Sequence, residues 1–510
     1  MEKRDALRYR IAPLEMTPSE FRKVGYQLVE RIAEFLCTLP DRPVTPNESP
    51  AVIREALGTG SLPGQGIEAR SLLEEAADLL FNHSTFNGHP RFMAVITSSA
   101  APIGALGDLL AAAVNPNCGA WFGAPMGTEI EAQTIRWIAE MIGYPTDCGG
   151  LLVSGGNMGN FVGFLAARRA KATWDVRNVG MQGKESRQMR VYTSSETHTW
   201  IHKATDMFGV GTDAIRWIPV DEQMRMDTEA LRKCIQEDIE AGDLPFLVIG
   251  TAGTVSTGAV DPLPEIAAIC REYNLWFHVD GAYGGFAAVL LNESKVPEDL
   301  KGISEADSVA VDPHKWLYAP LEAGCALVRN PQTLRDTFSY HPAYYHWASQ
   351  GEPTIDYYEY GPQNSRGLRA LKVWLALRQV GRAGYVEMIS DDIQLAQELY
   401  RLVDAQPELQ AFTQGLSITT FRYVPPDLTP GSQRVEAYLN KLNTEVLTRL
   451  QKSGEAVVSN AVVRGTFLLR ACVVNFRTSL EDIEALPVLV TRIGREVDAI
   501  MRPGKRNSSR

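Results

Sequence analysis

The sequence predicts an α/β protein with a mostly parallel central sheet, an N-terminal helical arm and a small α+β C-terminal domain. Three observations carry that reading. From about residue 100 to 370, apolar β-rich runs alternate with helical patterns, as parallel strands joined by crossover helices do. Ahead of that region the periodicity is helical alone. Behind it, strand-like runs read as antiparallel and are flanked by long helices. The expected division is 1–100 for the arm, 101–375 for the large domain and 376–510 for the small one.

The arm opens with a helix over 17–38. Thr17-Pro18-Ser19-Glu20 supplies its start, and Phe21, Val24, Leu28, Ile32 and Phe35 recur at helical spacing. Four prolines from Pro40 to Pro50 break the pattern, and a second helix follows over 72–81. A short arm cannot bury these apolar faces alone. They are expected to pack on the main body or on a second copy of the chain. Strand candidates in the large domain are 190–193, 246–250, 276–280, 308–311 and 325–329. Helical patterns over 160–172, 228–241 and 263–273 separate several of them, and a helix over 365–380 closes the region. The small domain offers strands at 416–423, 456–458 and 466–474, with helices at 389–403, 435–453 and 480–501.

Composition narrows the class. Hydrophobic residues are 45% and charged residues 22% of 510, ordinary for a soluble globular chain and unlike a disordered or fibrous one. Fifty basic against 61 acidic residues give a net charge of −11, which argues against nucleic acid or an anionic membrane as a general partner. Seven cysteines at 37, 118, 148, 234, 270, 325 and 472 form no CxxC pair. They read as reduced thiols rather than a metal or redox site, so no metal is expected. The charged N-terminus lacks the apolar segment of a signal peptide. No run approaches the ~18 apolar residues of a membrane span. A cytoplasmic location is expected.

Two segments carry the chemistry. His278-Val279-Asp280-Gly281-Ala282-Tyr283-Gly284-Gly285 and Asp312-Pro313-His314-Lys315-Trp316 each follow a strand of the parallel region. Ligands of open α/β sheets bind beyond the carboxyl ends of strands. One strand therefore delivers a carboxylate there and a later one a lysine. Taken alone, such a pair reads as an ion pair. The small Gly281 and Ala282 leave room for something flat, which is the arrangement of a pyridoxal-phosphate enzyme. Its carboxylate, Asp280, pairs with the pyridine nitrogen, and its lysine, Lys315, forms the Schiff base. A third segment, Ser154-Gly155-Gly156-Asn157-Met158-Gly159-Asn160, opens a helix. A glycine-rich turn at a helix N-terminus offers backbone N–H groups to a phosphate.

With these motifs, and with His89-Pro90-Arg91-Phe92, Trp121, Thr128-Glu129, His198 and Arg470, the chain resembles the group II pyridoxal-phosphate-dependent amino-acid decarboxylases. That family includes aromatic-L-amino-acid and glutamate decarboxylases, and the likeness covers nearly the whole chain. It implies the fold-type I, aspartate-aminotransferase-like fold and a homodimer with active sites at the subunit interface. It implies pyridoxal 5'-phosphate bound covalently on Lys315, with Gly156 and Asn157 at the phosphate. His198 would stack on the ring opposite Ala282 and contact the substrate carboxylate. Thr254 would lie near the cofactor, and Ser98 and Arg470 toward the substrate. Tyr344, in an aromatic segment read as a mobile lid, or His314 would return a proton to the substrate carbon. Three positions depart from the family pattern: Asn157 stands where Ser is frequent, Val255 replaces a threonine, and Asp312 replaces an asparagine of animal enzymes that contacts phosphate. A carboxylate would repel phosphate, so Asp312 is expected to take other donors.

The reaction implied is loss of carbon dioxide from an L-amino acid to give the amine. Related aldehyde synthases carry Phe where Tyr344 stands, which favours decarboxylation here. Positions that form an aromatic pocket in animal relatives align with Asn87, Val95, Ile96 and Gly119. Ser365 aligns with a position that separates phenolic from indolic substrates in plant relatives. The apolar Val95/Ile96 wall favours an aromatic or otherwise apolar substrate. The alternatives are glutamate or another acidic amino acid, toward which His89-Pro90-Arg91-Phe92 leans, and oxidative deamination to an aldehyde. A non-enzymatic homologue is disfavoured by the intact Asp280, His198, Lys315 and Tyr344.

Overall fold

Among the described residues, twelve strands form two sheets, and the larger sheet is the platform for the site. In chain order they are β1 (Phe92–Met93), β2 (Gly149–Val153), β3 (Met189–Ser194), β4 (Ile215–Ile218), β5 (Leu244–Thr251), β6 (Trp276–Asp280), β7 (Ser308–Val311), β8 (Gly324–Val328), β9 (Leu409–Gly415), β10 (Ile418–Tyr423), β11 (Val457–Val463) and β12 (Thr466–Cys472). The computed structural model describes residues 8, 10, 12–184, 186–293, 295–341 and 353–502. The seven-stranded sheet has the order β2-β8-β7-β6-β5-β3-β4. Strands β4, β3, β5, β6 and β7 are parallel to one another. Strand β8 runs against both β7 and β2.

The central strands read as continuous apolar runs because both faces are covered. All of β6 and β7, and all but the first residue of β5, are buried. The helix Gly156–Lys171 packs across β5 to β8. The second sheet, β1-β11-β12-β10-β9, is antiparallel except where β1 joins β11. It packs on the helices Gln433–Ser453 and Leu480–Met501, with Phe421, Leu442, Val446, Leu469 and Val490 in a shared core. Residues 92–93 therefore complete a sheet whose other strands come from the C-terminal quarter.

Several elements differ from the sequence reading. The helix expected over 365–380 starts at Ala370, and the one expected over 389–403 starts just past Gly381, where the backbone leaves helical φ/ψ and separates the two. That residue has φ +67°, a left-handed value a glycine adopts without a Cβ penalty. Strand β9 gave no signal because it is a half-exposed edge strand with one buried residue.

In the arm, the helix Pro18–Thr38 opens on a capping box between Thr17 and Glu20. It rests on the helix Ala69–His83 through stacked Phe35 and Phe81, 4.4 Å apart. The helix buries no residue fully, and Phe21, Tyr26, Val29 and Ile32 face outward. A second apolar face, Leu106, Leu109, Leu110 and Val114 on the helix Pro102–Val114, is also exposed. Among the described residues, no helix is long and apolar enough to cross a membrane.

A buried ion pair braces the end of β2. The Arg366 and Glu131 side chains are each 1% exposed and meet at 2.5 Å. Arg366 also donates to the carbonyls of Cys118 (3.1 Å) and Leu152 (2.7 Å), and Glu131 accepts from the Leu152 N–H at 2.8 Å. The pair thus ties the helix Pro125–Met141 to β2 just ahead of the glycine turn. Removing one partner leaves a buried charge alone. Arg366→Met should therefore lose about 3–5 kcal/mol of stability, measured as a shift in urea denaturation. The double variant Arg366→Met/Glu131→Leu should recover part of it. An unchanged urea midpoint for Arg366→Met would show that the pair does not brace this region.

Candidate active site

Strands β2, β3, β5, β6 and β7 run the same way. The loops after them share one edge of the sheet with the chain entering the reversed β8, and ligands bind at such edges. A cleft of about 800 Å³ opens there. Its walls include Ser154–Asn157, His198, Gly253, Val255, Asp280, Ala282, Asp312, His314, Lys315, Leu321 and Glu322. From the second sheet, Arg470 of β12 and the segment Val95–Thr97 after β1 line the same cleft.

Asp280 ends β6 and is buried. Its Oδ2 accepts the Trp200 indole N–H at 2.7 Å and its Oδ1 the Ala282 N–H at 3.2 Å. Two donors hold the carboxylate in one orientation. Behind it, His278 bridges Asn160 Oδ1 (2.8 Å) and Ser308 Oγ (2.7 Å). Burial pushes this imidazole down to about 4, against a smaller opposing pull from Asp280. At neutral pH the residue behind Asp280 is therefore uncharged. His198 lines the cleft near Asp280 and Lys315. Burial lowers its imidazole below the usual range, partly offset by Asp280.

Lys315 sits on a four-residue helical turn after β7. Its Nζ lies 3.2 Å from Asp312 Oδ2. The turn is anchored from behind. Trp316 Nε1 and Tyr318 Oη donate to Asp392 Oδ2 at 2.9 and 2.7 Å, and burial raises Asp392 to about 7. Ser98 Oγ donates to the His314 carbonyl at 2.8 Å. His314 Nδ1 is 2.7 Å from the Ala323 carbonyl, and burial lowers this imidazole too.

The glycine turn begins the helix Gly156–Lys171, whose first backbone bond runs from Gly159 N–H to Gly155. The amides before it have no partner within the helix. A Cβ on Gly156 would stand 2.8 Å from Asp312 Oδ2 and 3.0 Å from the Ala282 Cβ. Only glycine lets the three segments meet there. Arg470 donates to the Val255 carbonyl at 2.5 Å and to the Ala94 carbonyl, and its Nε has no hydrogen-bond partner among the described residues.

The structure thus brings Gly156, Asn157, His198, Asp280, Ala282, His314, Lys315 and Arg470 to one cleft. Thr254 and Ser98 lie behind its wall. Thr254 is fully buried, 3.0 Å from Thr257 Oγ1, and accepts the Ala259 N–H. Ser98 is spent on the His314 carbonyl. Tyr344 lies outside the described residues. Trp200, Asn160 and Asp392 carried no sequence signal as supports, because each meets its partner at a sequence separation of 74 or more. An amine, a carboxylate with fixed donors and a turn of free amides suit a cofactor that carries an aldehyde, a ring nitrogen and a phosphate.

These features define a fold-type I pyridoxal-phosphate enzyme. The model of the pyridoxal-dependent decarboxylase conserved domain matches residues 55–424, and the chain belongs to that family of amino-acid decarboxylases. It is 34% identical over 486 residues to an aromatic-L-amino-acid decarboxylase of Bacillus atrophaeus, covering 95% of this chain and 97% of that protein. A phenylacetaldehyde synthase of a Rosa hybrid cultivar is 29% identical over 468 residues, 90% of each chain. The crystal structure of Oryza sativa TDC with PLP and tryptamine superposes with a TM-score of 0.86 at 27% identity, covering 96% of this chain and 99% of that one.

The His278 environment sets a pH dependence. Its folded pKa, about 4, lies below the unfolded value of about 6.5. Its contribution to stability is complete above pH 6.5 and is lost as pH falls toward 4. His278→Gln should melt below the wild type at pH 7, and the gap should narrow at pH 5. A gap that widens on acidification, read by thermal melts, would contradict a neutral buried imidazole.

Proposed function

We propose that the enzyme decarboxylates an aromatic L-amino acid to its amine and carbon dioxide. The observation that carries this substrate class is the pairing of the apolar Val95–Ile96 segment with Asp280 and Lys315 in one cleft. The aromatic-L-amino-acid decarboxylase and the TDC structure among the relatives support the same class. Among the described lining residues, Lys315 faces Asp312, and Arg470 is engaged by the Ala94 and Val255 carbonyls. Neither Lys315 Nζ nor the two terminal nitrogens of Arg470 are free to pair with a side-chain carboxylate.

Bound pyridoxal phosphate supplies an electron sink for the bond between Cα and the carboxylate. In this reading Lys315 Nζ would hold the cofactor at its aldehyde carbon, the aldehyde oxygen leaving as water. Asp280, fixed by Trp200 and Ala282, keeps the ring nitrogen protonated. Gly156 and Asn157 hold the phosphate with their amides. His198 covers the ring opposite Ala282 and orients the substrate carboxylate. Arg470 steadies the Val95 wall through Ala94 and presents its Nε to the substrate side. Tyr344 or His314 returns a proton to Cα. The exposed faces at Phe21–Ile32 and Leu106–Val114 support a homodimer, and seven free cysteines support a reducing, cytoplasmic setting.

Carboxyl-labelled L-phenylalanine, L-tyrosine, L-tryptophan and L-glutamate test the substrate class. At least one aromatic substrate should release labelled carbon dioxide with an equal amount of amine. Glutamate should have a kcat/KM lower by about a hundredfold or more, the cost of burying an unpaired carboxylate. A preference for glutamate would overturn the reading. Tyr344→Phe tests the proton donor. If Tyr344 supplies the proton, the variant under air should yield aldehyde, ammonia and peroxide in place of amine. Amine at an unchanged rate would assign the proton to another group.

A further inference from the structure

One wall of the cleft holds a negative charge beside the amides proposed to receive an anion. Asp312 is 2% exposed and lines the cleft. Its Oδ2 lies 3.2 Å from Lys315 Nζ and 3.7 Å from His314 Nε2. Its Oδ1 is buried with no hydrogen-bond partner among the described residues. The same carboxylate touches the first residue of the helix Gly156–Lys171, since a Cβ on Gly156 would stand 2.8 Å from Oδ2. A fixed anion and an anion-binding turn thus share one corner. The other titratable groups in the field of this corner are His198 and Asp280 in the cleft, Glu322 ahead of β8, and the buried Cys325 thiol.

The orphaned oxygen needs a donor. A phosphate monoester loses its second proton near pH 6. In its singly charged form it keeps one O–H, which can be donated to the Asp312 carboxylate at the Gly156 turn. That proton both satisfies the carboxylate and lowers the phosphate beside it from two negative charges to one. The doubly charged form does neither. We propose that Asp312 makes this enzyme take up its cofactor with the phosphate singly protonated, so that the phosphate's contribution to binding falls as pH rises. No bond is made or broken in this step, since the proton is the phosphate's own. The inference rests on the reading that the phosphate lies at the Gly156 turn.

The test uses cofactor-free protein and two probes, pyridoxal 5'-phosphate and pyridoxal. Dissociation constants are measured by absorbance titration between about pH 5.5 and 8, the range in which the phosphate's second proton leaves. Attachment to Lys315 and titration of His198, His314 and Lys315 affect both probes. The ratio of the two affinities therefore isolates the phosphate. In the wild type, the preference for the phosphorylated probe should fall about tenfold or more across this range. In Asp312→Asn, whose amide can donate to the doubly charged form, the preference should hold or rise. A wild-type preference that rises with pH, or a variant profile that overlays the wild type, would overturn the inference. The wild-type profile decides even if the variant fails to fold. A retained phosphate preference without the pH trend would sink this inference alone. No phosphate preference at any pH would sink the siting of the phosphate as well.

Discussion

Asp280 and Lys315 share a cleft because β6 and β7 are hydrogen-bonded parallel neighbours, with Asp280 registered against Ala310. That one pairing fixes where a carboxylate and an amine emerge, at the same edge and side by side. Reversing either strand would send its functional residue to the opposite edge. The rest of the large sheet serves the same end. Strand β2 delivers the glycine turn, β3 the loop with His198, and β5 the loop with Gly253 and Val255. Strand β8 runs backwards, so the chain entering it brings Leu321 and Glu322 to that edge as well.

The cleft is held together by groups placed behind it. Trp200 fixes Asp280, and Asp392 fixes the turn that carries Lys315 through Trp316 and Tyr318. Arg366 and Glu131 brace β2 ahead of the glycine turn. Such supports cost desolvation, and their geometry repays it only when each polar atom has a partner. Among the described residues, partners run out at Asp312 Oδ1, Thr251 Oγ1 and Arg470 Nε, of residues that line the cleft, and also behind it at Arg366 Nε.

The central strands were legible because strands buried on both faces spell uninterrupted apolar runs. Observed β6 and β7 keep the bounds read from sequence. Edge elements were not legible. Strand β9 is half exposed, and β1 has two residues and pairs with a strand more than 360 positions away. The motifs at 154–160, 278–285 and 312–316 were legible because glycine, acid and lysine sit at strand ends in close sequence. Side-chain direction was not. The resemblance implied Thr254 near the cofactor, yet Gly253 and Val255 line the cleft while Thr254 turns inward to Thr257. Asp312 was read as taking other donors. It takes Lys315 on one oxygen, and the other is left open.

The account stands on Lys315 being the amine that meets the cofactor at the β6–β7 edge. Borohydride reduction of the holoenzyme locks that attachment, and peptide mapping by mass spectrometry then locates it. The account predicts the reduced cofactor on Lys315, in the peptide spanning Asp312-Pro313-His314-Lys315-Trp316. Attachment at another lysine, or a Lys315 left unmodified in fully loaded enzyme, would contradict it.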